Sequence, residues 1–178
     1  DGAVAAAGIP GAVRCRTADS TAFSDVYKNT DSVVFLGSGK WTHSCTIALD
    51  TLPDTSNLAF WAGFRDNSGY GAYFWGDSHA NIQCVTEDSS GTVTTDSGVP
   101  WVVTVGGTDG NYVTLEVVVE AGVATFTLTP LGGSPTVKTI STHVPTTALQ
   151  QHVFHVQPLA SIPAVSVYLA YERLRWDA

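Results

Sequence analysis

The sequence predicts an all-β protein made of two packed antiparallel sheets, and three observations carry that expectation. Charged residues make up only 13% of the chain while hydrophobic ones reach 44%, and the remainder is rich in Thr, Ser and Gly. Short runs of β-favouring residues follow one another along most of the chain, each closed by turn-forming residues. In the best of these runs apolar and polar positions alternate, as a strand with one buried face requires.

In order, the runs are "SVVFLGS", "KWTHSCTIALD", "NLAFWAGFRD", "YGAYFWGD", "NIQCVTED", "GTVTTDSG", "NYVTLEVVVE", "VATFTLTP", "TVKTIST", "HVFHVQPLA" and "VSVYLAYERLRW". In "YVTLEVVVE" the residues Val113, Leu115, Val117 and Val119 share one face, and Thr114, Glu116 and Glu120 the other. After a turn at Ala121-Gly122, Ala124, Phe126 and Leu128 alternate with Thr125, Thr127 and Thr129, which makes this the clearest hairpin. Helical periodicity is missing at any useful length; "TTALQQHV" allows one turn or two. The opening "DGAVAAAGIPGAV" has small residues, Gly and Pro breaks and no amphipathic spacing. Residues 1–20 are therefore expected to form an extended N-terminal arm, and residues 21–178 one sandwich domain.

Eight Lys and Arg against sixteen Asp and Glu leave a formal net charge of -8. The basic residues are scattered, so no stripe exists to neutralise a phosphate backbone and no nucleic-acid partner is expected. No apolar run approaches the roughly 20 residues of a membrane span, and no signal peptide opens the chain, so no membrane is expected either. The chain contains no Met, which is expected of a processed product or a part of something longer. Cys15, Cys45 and Cys84 are odd in number and widely spaced, which fits buried free thiols better than a disulfide framework or a zinc site; a Cys45–Cys84 bridge stays open as the alternative.

The stretch "FWAGFRDNSGYGAYFW" places two aromatic runs around a polar turn. With "DNSG" as a four-residue loop, Arg65 faces Tyr70, Gly63 faces Ala72 and Trp61 faces Phe74. One face then carries Trp61, Arg65, Tyr70 and Phe74, and the other Phe60, Ala62, Phe64, Tyr73 and Trp75. Trp61, Arg65 and Tyr70, with Asp66 and Asn67 of the loop, are the candidate ligand-binding residues, a platform on which a sugar ring or partner stacks. The competing reading is that these aromatics fill the sandwich.

Catalytic groups are harder to find. Glu116 and Glu120 lie four residues apart on one strand face, about 13 Å, too far for the roughly 5–10 Å of a glycosidase pair. Glu87 and Asp88 are adjacent and point to opposite faces. A polysaccharide lyase would want His, Tyr and Arg or Lys clustered on the concave sheet; His43, His79, His143, His152 and His155 are on offer, but His152 and His155 diverge on a strand. No nucleophile elbow and no phosphate-binding loop occur. No EF-type calcium loop is present either, although a loop calcium at Asp66, Asn67 or Asp77 stays open. No catalytic residue, metal or cofactor is expected.

The ordered series "FWAGFRDNSGYGAYFW", "VTEDSSGTVTTDSGV", "LEVVVEAGVATFTL", "HVPTTAL" and "VSVYLAYERLRW" resembles the concanavalin A-like lectin/glucanase jelly roll, in the form found in tailed-bacteriophage virion proteins. The likeness spans about residues 58 to 176, and the longer loop of "TPLGGSPTV" departs from it. It implies a two-sheet antiparallel jelly roll and, by analogy, a non-enzymatic virion surface protein that decorates or cements a capsid, with other virion proteins and copies of itself as partners. The alternative is a receptor- or carbohydrate-binding module of a tail fibre or spike, contacting surface glycans. A polysaccharide-cleaving enzyme ranks last, because enzymes on this fold similar to the family 16 glucanases set acids at i, i+2 and i+4, and Val118 interrupts the only such series here.

Overall fold

A computed structural model describes residues 4–5, 13–16, 26–37, 39–49, 58–66, 68–77, 79–101, 111–146, 149–158 and 166–177. Among these residues every regular element is a strand, and the strands form two antiparallel sheets. One sheet has seven strands, in the spatial order β1 (Val4–Ala5), β2 (Val13–Arg16), β13 (Ser166–Asp177), β4 (Lys40–Leu49), β9 (Val113–Glu120), β10 (Val123–Pro130) and β11 (Thr136–Ile140). The other has six: β3 (Val26–Phe35), β12 (Leu149–Pro158), β5 (Leu58–Arg65), β6 (Gly71–Gly76), β7 (Asn81–Asp88) and β8 (Gly91–Pro100).

Each run read from the sequence is a strand, and the architecture is the expected two-sheet jelly roll. Two short strands come from the opening segment, with β2 pairing β13 from Arg16↔Ser166 to Val13↔Leu169. Leu149, within the segment that allowed a helical turn, already belongs to β12. Among the described residues no helix is long and apolar enough to cross a membrane.

The core forms where the alternating apolar positions of the two sheets meet. Val113, Leu115, Val117 and Val119 of β9 and Ala124, Phe126 and Leu128 of β10 are all at most 1% exposed. The turn between these strands uses positive backbone angles at both central residues, Ala121 (φ 49°) and Gly122 (φ 76°), as a two-residue hairpin demands. Opposite them, Phe74 packs edge-on to Phe126 with ring centroids 5.3 Å apart, and Phe60 does the same with Trp101 at 5.1 Å. Each such fully buried aromatic contributes about 1.5–3 kcal/mol of transfer free energy. His43, at 1% exposure, joins the core edge-on to Phe64. Cys45 and Cys84 are both buried and are not bridged to each other, so the alternative disulfide does not form.

The β5–β6 hairpin departs from the expected register by one residue. The pairs are Arg65↔Gly71, Phe64↔Ala72, Gly63↔Tyr73, Ala62↔Phe74, Trp61↔Trp75 and Phe60↔Gly76. The extra residue enters the loop because Asp66 organises it. Its Oδ1 accepts hydrogen bonds from the Ser68 and Tyr70 backbone N–H groups at 2.8 and 3.0 Å, while its own N–H donates to the Tyr70 carbonyl at 2.9 Å. Tyr70 thereby belongs to the loop, and every β6 side chain changes face. Phe74 and Ala72 join Phe60, Ala62 and Phe64 in the core, all at 0% exposure, and Tyr73 and Trp75 move to the outer face with Trp61 and Arg65.

Candidate functional site

On the outer side of the six-stranded sheet the register builds three parallel rows. The first runs His155–Trp61–Trp75–Gln83–Asp96, the second Val153–Gly63–Tyr73–Val85–Thr94, and the third Gln151–Arg65–Gly71–Glu87–Thr92. The consecutive strands β5, β6, β7 and β8, with β12 from later in the chain, each supply one position to every row. Gln83 and Val85 are buried at the floor of this face, whereas Trp61, Arg65, Trp75 and Glu87 stand partly open.

Tyr73 is the hub. Its hydroxyl donates to Glu87 Oε2 at 2.8 Å, and the Arg65 guanidinium lies over its ring at 5.5 Å and over the Trp61 ring at 5.2 Å. Burial first, and then the hydrogen bond to Glu87, push the phenol above its usual range, while the Arg65 charge pulls the other way. The phenol is therefore held protonated. Arg65 Nε is buried without a hydrogen-bond partner among the described residues, so stacking holds the guanidinium at that atom.

Gly71 makes the cluster possible. It occupies the position between Arg65 and Glu87 in the third row, and a Cβ there would collide with the Phe64 carbonyl. Any other residue would push β5 and β6 apart and place a side chain between the cation and the carboxylate.

Of the five residues predicted as ligand-binding, Trp61 and Arg65 lie on this face. Asp66 is engaged in organising the loop, Tyr70 sits half-buried at the loop's end, and Asn67 lies outside the described residues. Sequence reasoning missed Tyr73, Trp75 and Glu87. A four-residue loop turns the first two inward, and Glu87 stands out in the sequence only as the neighbour of Asp88. A usable signal was present: Tyr73 and Trp75 carry polar tips and alternate with Phe74, which has none and belongs in the core.

Asp88 faces away from Glu87 and forms a separate cluster. Its Oδ1 accepts from the Ser90 hydroxyl at 2.6 Å, the Ser90 N–H at 2.8 Å and the Gly91 N–H at 3.1 Å, with His143 Nδ1 at 3.0 Å. The Ser90 hydrogen bonds, followed by that of His143, hold the Asp88 carboxyl down to about 2. Ser90 Oγ also lies 3.1 Å from His143 Nδ1. Serine and carboxylate thus meet the same ring nitrogen, whereas a nucleophilic relay needs them on opposite ones. The cluster is a clasp that fastens the loop at 141–146 to the β7–β8 turn, helped by Thr86 Oγ1 donating to the Thr142 carbonyl at 2.8 Å. Among the described residues no group of three or more His, Cys, Asp or Glu is placed to hold a metal ion.

No family model matches the chain, and no curated protein matches it in sequence. Solved structures do match. The alginate lyase from Klebsiella pneumoniae aligns with a TM-score of 0.54 at 14% identity, covering 79% of this chain and 61% of that one. The marine alginate lyase from Aplysia kurodai aligns at 0.61 and 8% identity, covering 93% and 83%. The seed lectin of Lotus tetragonolobus aligns at 0.56 and 10% identity, covering 94% and 89%. The chain spans less than two thirds of the Klebsiella enzyme. The fold is that of the concanavalin A-like jelly rolls.

These neighbours correct the expectation of a non-enzymatic virion protein that decorates a capsid. The fold likeness runs to alginate lyases and a lectin, and nothing in it is specific to a phage particle. The expectation that the chain is not an enzyme falls with it. Paired acids and histidine spacing, both judged along single strands, carry that expectation, and neither reaches groups that meet only across strands. Here the polar groups come from β5, β6 and β7, which no spacing along one strand can reveal.

Proposed function

We propose that the protein is a polysaccharide lyase acting on a uronate-containing polysaccharide at the outer face of the six-stranded sheet. The observation that carries this reading is the gathering of Arg65, Tyr73 and Glu87 around the gap at Gly71, beside the rings of Trp61 and Trp75. Cleavage by β-elimination requires a cation on the sugar carboxylate, a base for the C5 proton and an acid for the departing oxygen. Arg65 pairs with the carboxylate and stabilises the negative charge that builds there. Glu87 takes the C5 proton, the electrons of that bond become the C4=C5 double bond, and the C4–O4 bond breaks as the Tyr73 phenol gives its proton to O4. A phenol held protonated suits the acid role, and the Tyr73–Glu87 hydrogen bond is the route by which the proton returns for the next cycle. Trp61 and Trp75 offer flat surfaces for the flanking sugar rings. The fold shared with alginate lyases supports the same substrate class.

The test is incubation with alginate and with polygalacturonate, following the ultraviolet absorbance of the unsaturated ends that elimination creates. The wild type is expected to produce them, with Arg65→Ala and Tyr73→Phe slower by about 10²-fold or more. A wild-type protein that releases no unsaturated ends from any polyuronate ends this reading.

A further inference from the structure

A second recess lies on the opposite side of the sandwich, on the outer face of the seven-stranded sheet. The outward positions of β4 are short hydroxyl side chains, while the residues paired with them are mostly longer: Arg175 and Val118 flank Thr42, and Arg173 and Glu116 flank Ser44. A low row between two higher rows is a trough, here about 270 Å³, with Lys40 and Asp177 at one end and Tyr171 towards the other.

The trough depends on a β-bulge. Leu169 pairs with Ile47 of the core, and plain alternation from there would turn Tyr171, Arg173 and Arg175 inward as well. The register shifts between Leu169 and Tyr171, so these three side chains are exposed and Leu174 packs against the core instead. Bulges of this kind re-aim side chains next to binding sites.

The lining has a definite chemistry. Arg175 bonds Asp177 at 2.8 Å and Lys40 lies 4.0 Å from Glu120, so the cations at that end are balanced by acids. Arg173 and Glu116 face each other across Ser44, two strand spacings or about 10 Å apart at the backbone. The phenol ring of Tyr171 is 46% exposed beside them. A charge-balanced, hydroxyl-floored trough is a poor seat for an apolar segment or for a polyanion held by charge alone. A ring for stacking, with a guanidinium and a carboxylate set apart across hydroxyls, is the chemistry that recognises the vicinal hydroxyls of a sugar.

We propose that this trough is a glycan-binding subsite, separate from the candidate catalytic face, that holds a polysaccharide strand without cleaving it. Tyr171 stacks on a sugar ring, and Arg173 and Glu116 bond its hydroxyls from either side. Two sites on opposite faces let one molecule hold a polymer at one point while acting at another, raising the effective substrate concentration.

The experiment is calorimetric titration of the full chain, in the Arg65→Ala background, with an alginate hexasaccharide and with neutral mannohexaose. At least one probe is expected to bind, with affinity at least tenfold weaker when Tyr171→Ala or Arg173→Gln is added. Both side chains are exposed, and circular dichroism checks that the fold is kept. Binding of neither probe, or binding unmoved by both substitutions, overturns the proposal. Release of unsaturated ends by the single variant Tyr171→Ala is read in parallel and is expected to persist on short oligosaccharides. A protein that binds through Tyr171 but releases no ends refutes the lyase reading alone, and one that releases ends while Tyr171→Ala leaves binding unchanged refutes the trough alone.

Discussion

At the scale of single residues, the chemistry turns on how each polar side chain is held. Tyr73 is mostly buried and bonded to Glu87, so Tyr73→Phe keeps the ring packing and removes the hydroxyl with its transferable proton; on the proposed lyase reading, steady-state assays are expected to show kcat falling far more than KM rises. Asp88 behaves differently, because its bonds lower its proton affinity in the folded state only. Its folded value of about 2 lies below the usual 3.9 or so of an unfolded aspartate, so its stabilising effect is complete above about pH 4 and is lost as pH falls towards 2. Asp88→Asn is therefore expected to lower the melting temperature at pH 7, with the gap to wild type closing as the pH approaches 2 in thermal melts. Cys84, whose thiol burial pushes up to about 12, is expected to resist alkylation in the native protein and to react at once in denaturant, as peptide mapping would show.

At the scale of elements, the β5–β6 hairpin decides what the six-stranded sheet presents. Asp66 and the loop it organises set a register that sends Phe74 inward and Tyr73 and Trp75 outward. Gly71 is the narrowest point, since a side chain there meets the Phe64 backbone. Gly71→Ala is expected to cost about 2 kcal/mol or more in urea denaturation and, on the proposed lyase reading, to lower activity further by disturbing the placing of Arg65 and Glu87 on either side of it. A variant as stable and active as wild type would show that the close approach is not needed. The Ala170 bulge plays the matching part on the other sheet, turning Tyr171, Arg173 and Arg175 outward.

At the scale of the whole molecule, stability comes mainly from the core between the two sheets, and the two proposed sites lie on the outer faces. Phe126 is fully buried and meets Phe74 across the sheet interface. Phe126→Ala is expected to cost about 3–5 kcal/mol in chemical denaturation. That is a large share of the roughly 5–15 kcal/mol that holds a domain together, so this single cavity brings the fold close to its limit. The outer faces differ in kind: one gathers a cation, a phenol and a carboxylate within contact, and the other spaces its charges across a hydroxyl floor.

Alternation along the chain was enough to determine the strands and the inward faces of β9 and β10, because a strand's two faces are written in its local period. That Trp61 and Arg65 share one face of β5 was legible for the same reason. What only the tertiary structure decided was the company they keep. The bulge at Ala170 and the meeting of Arg65, Tyr73 and Glu87 depend on how separate strands align, and the extra loop residue on the hydrogen bonds that Asp66 makes within the turn. That alignment is set by hydrogen bonds from strand to strand, which the period within one strand does not record.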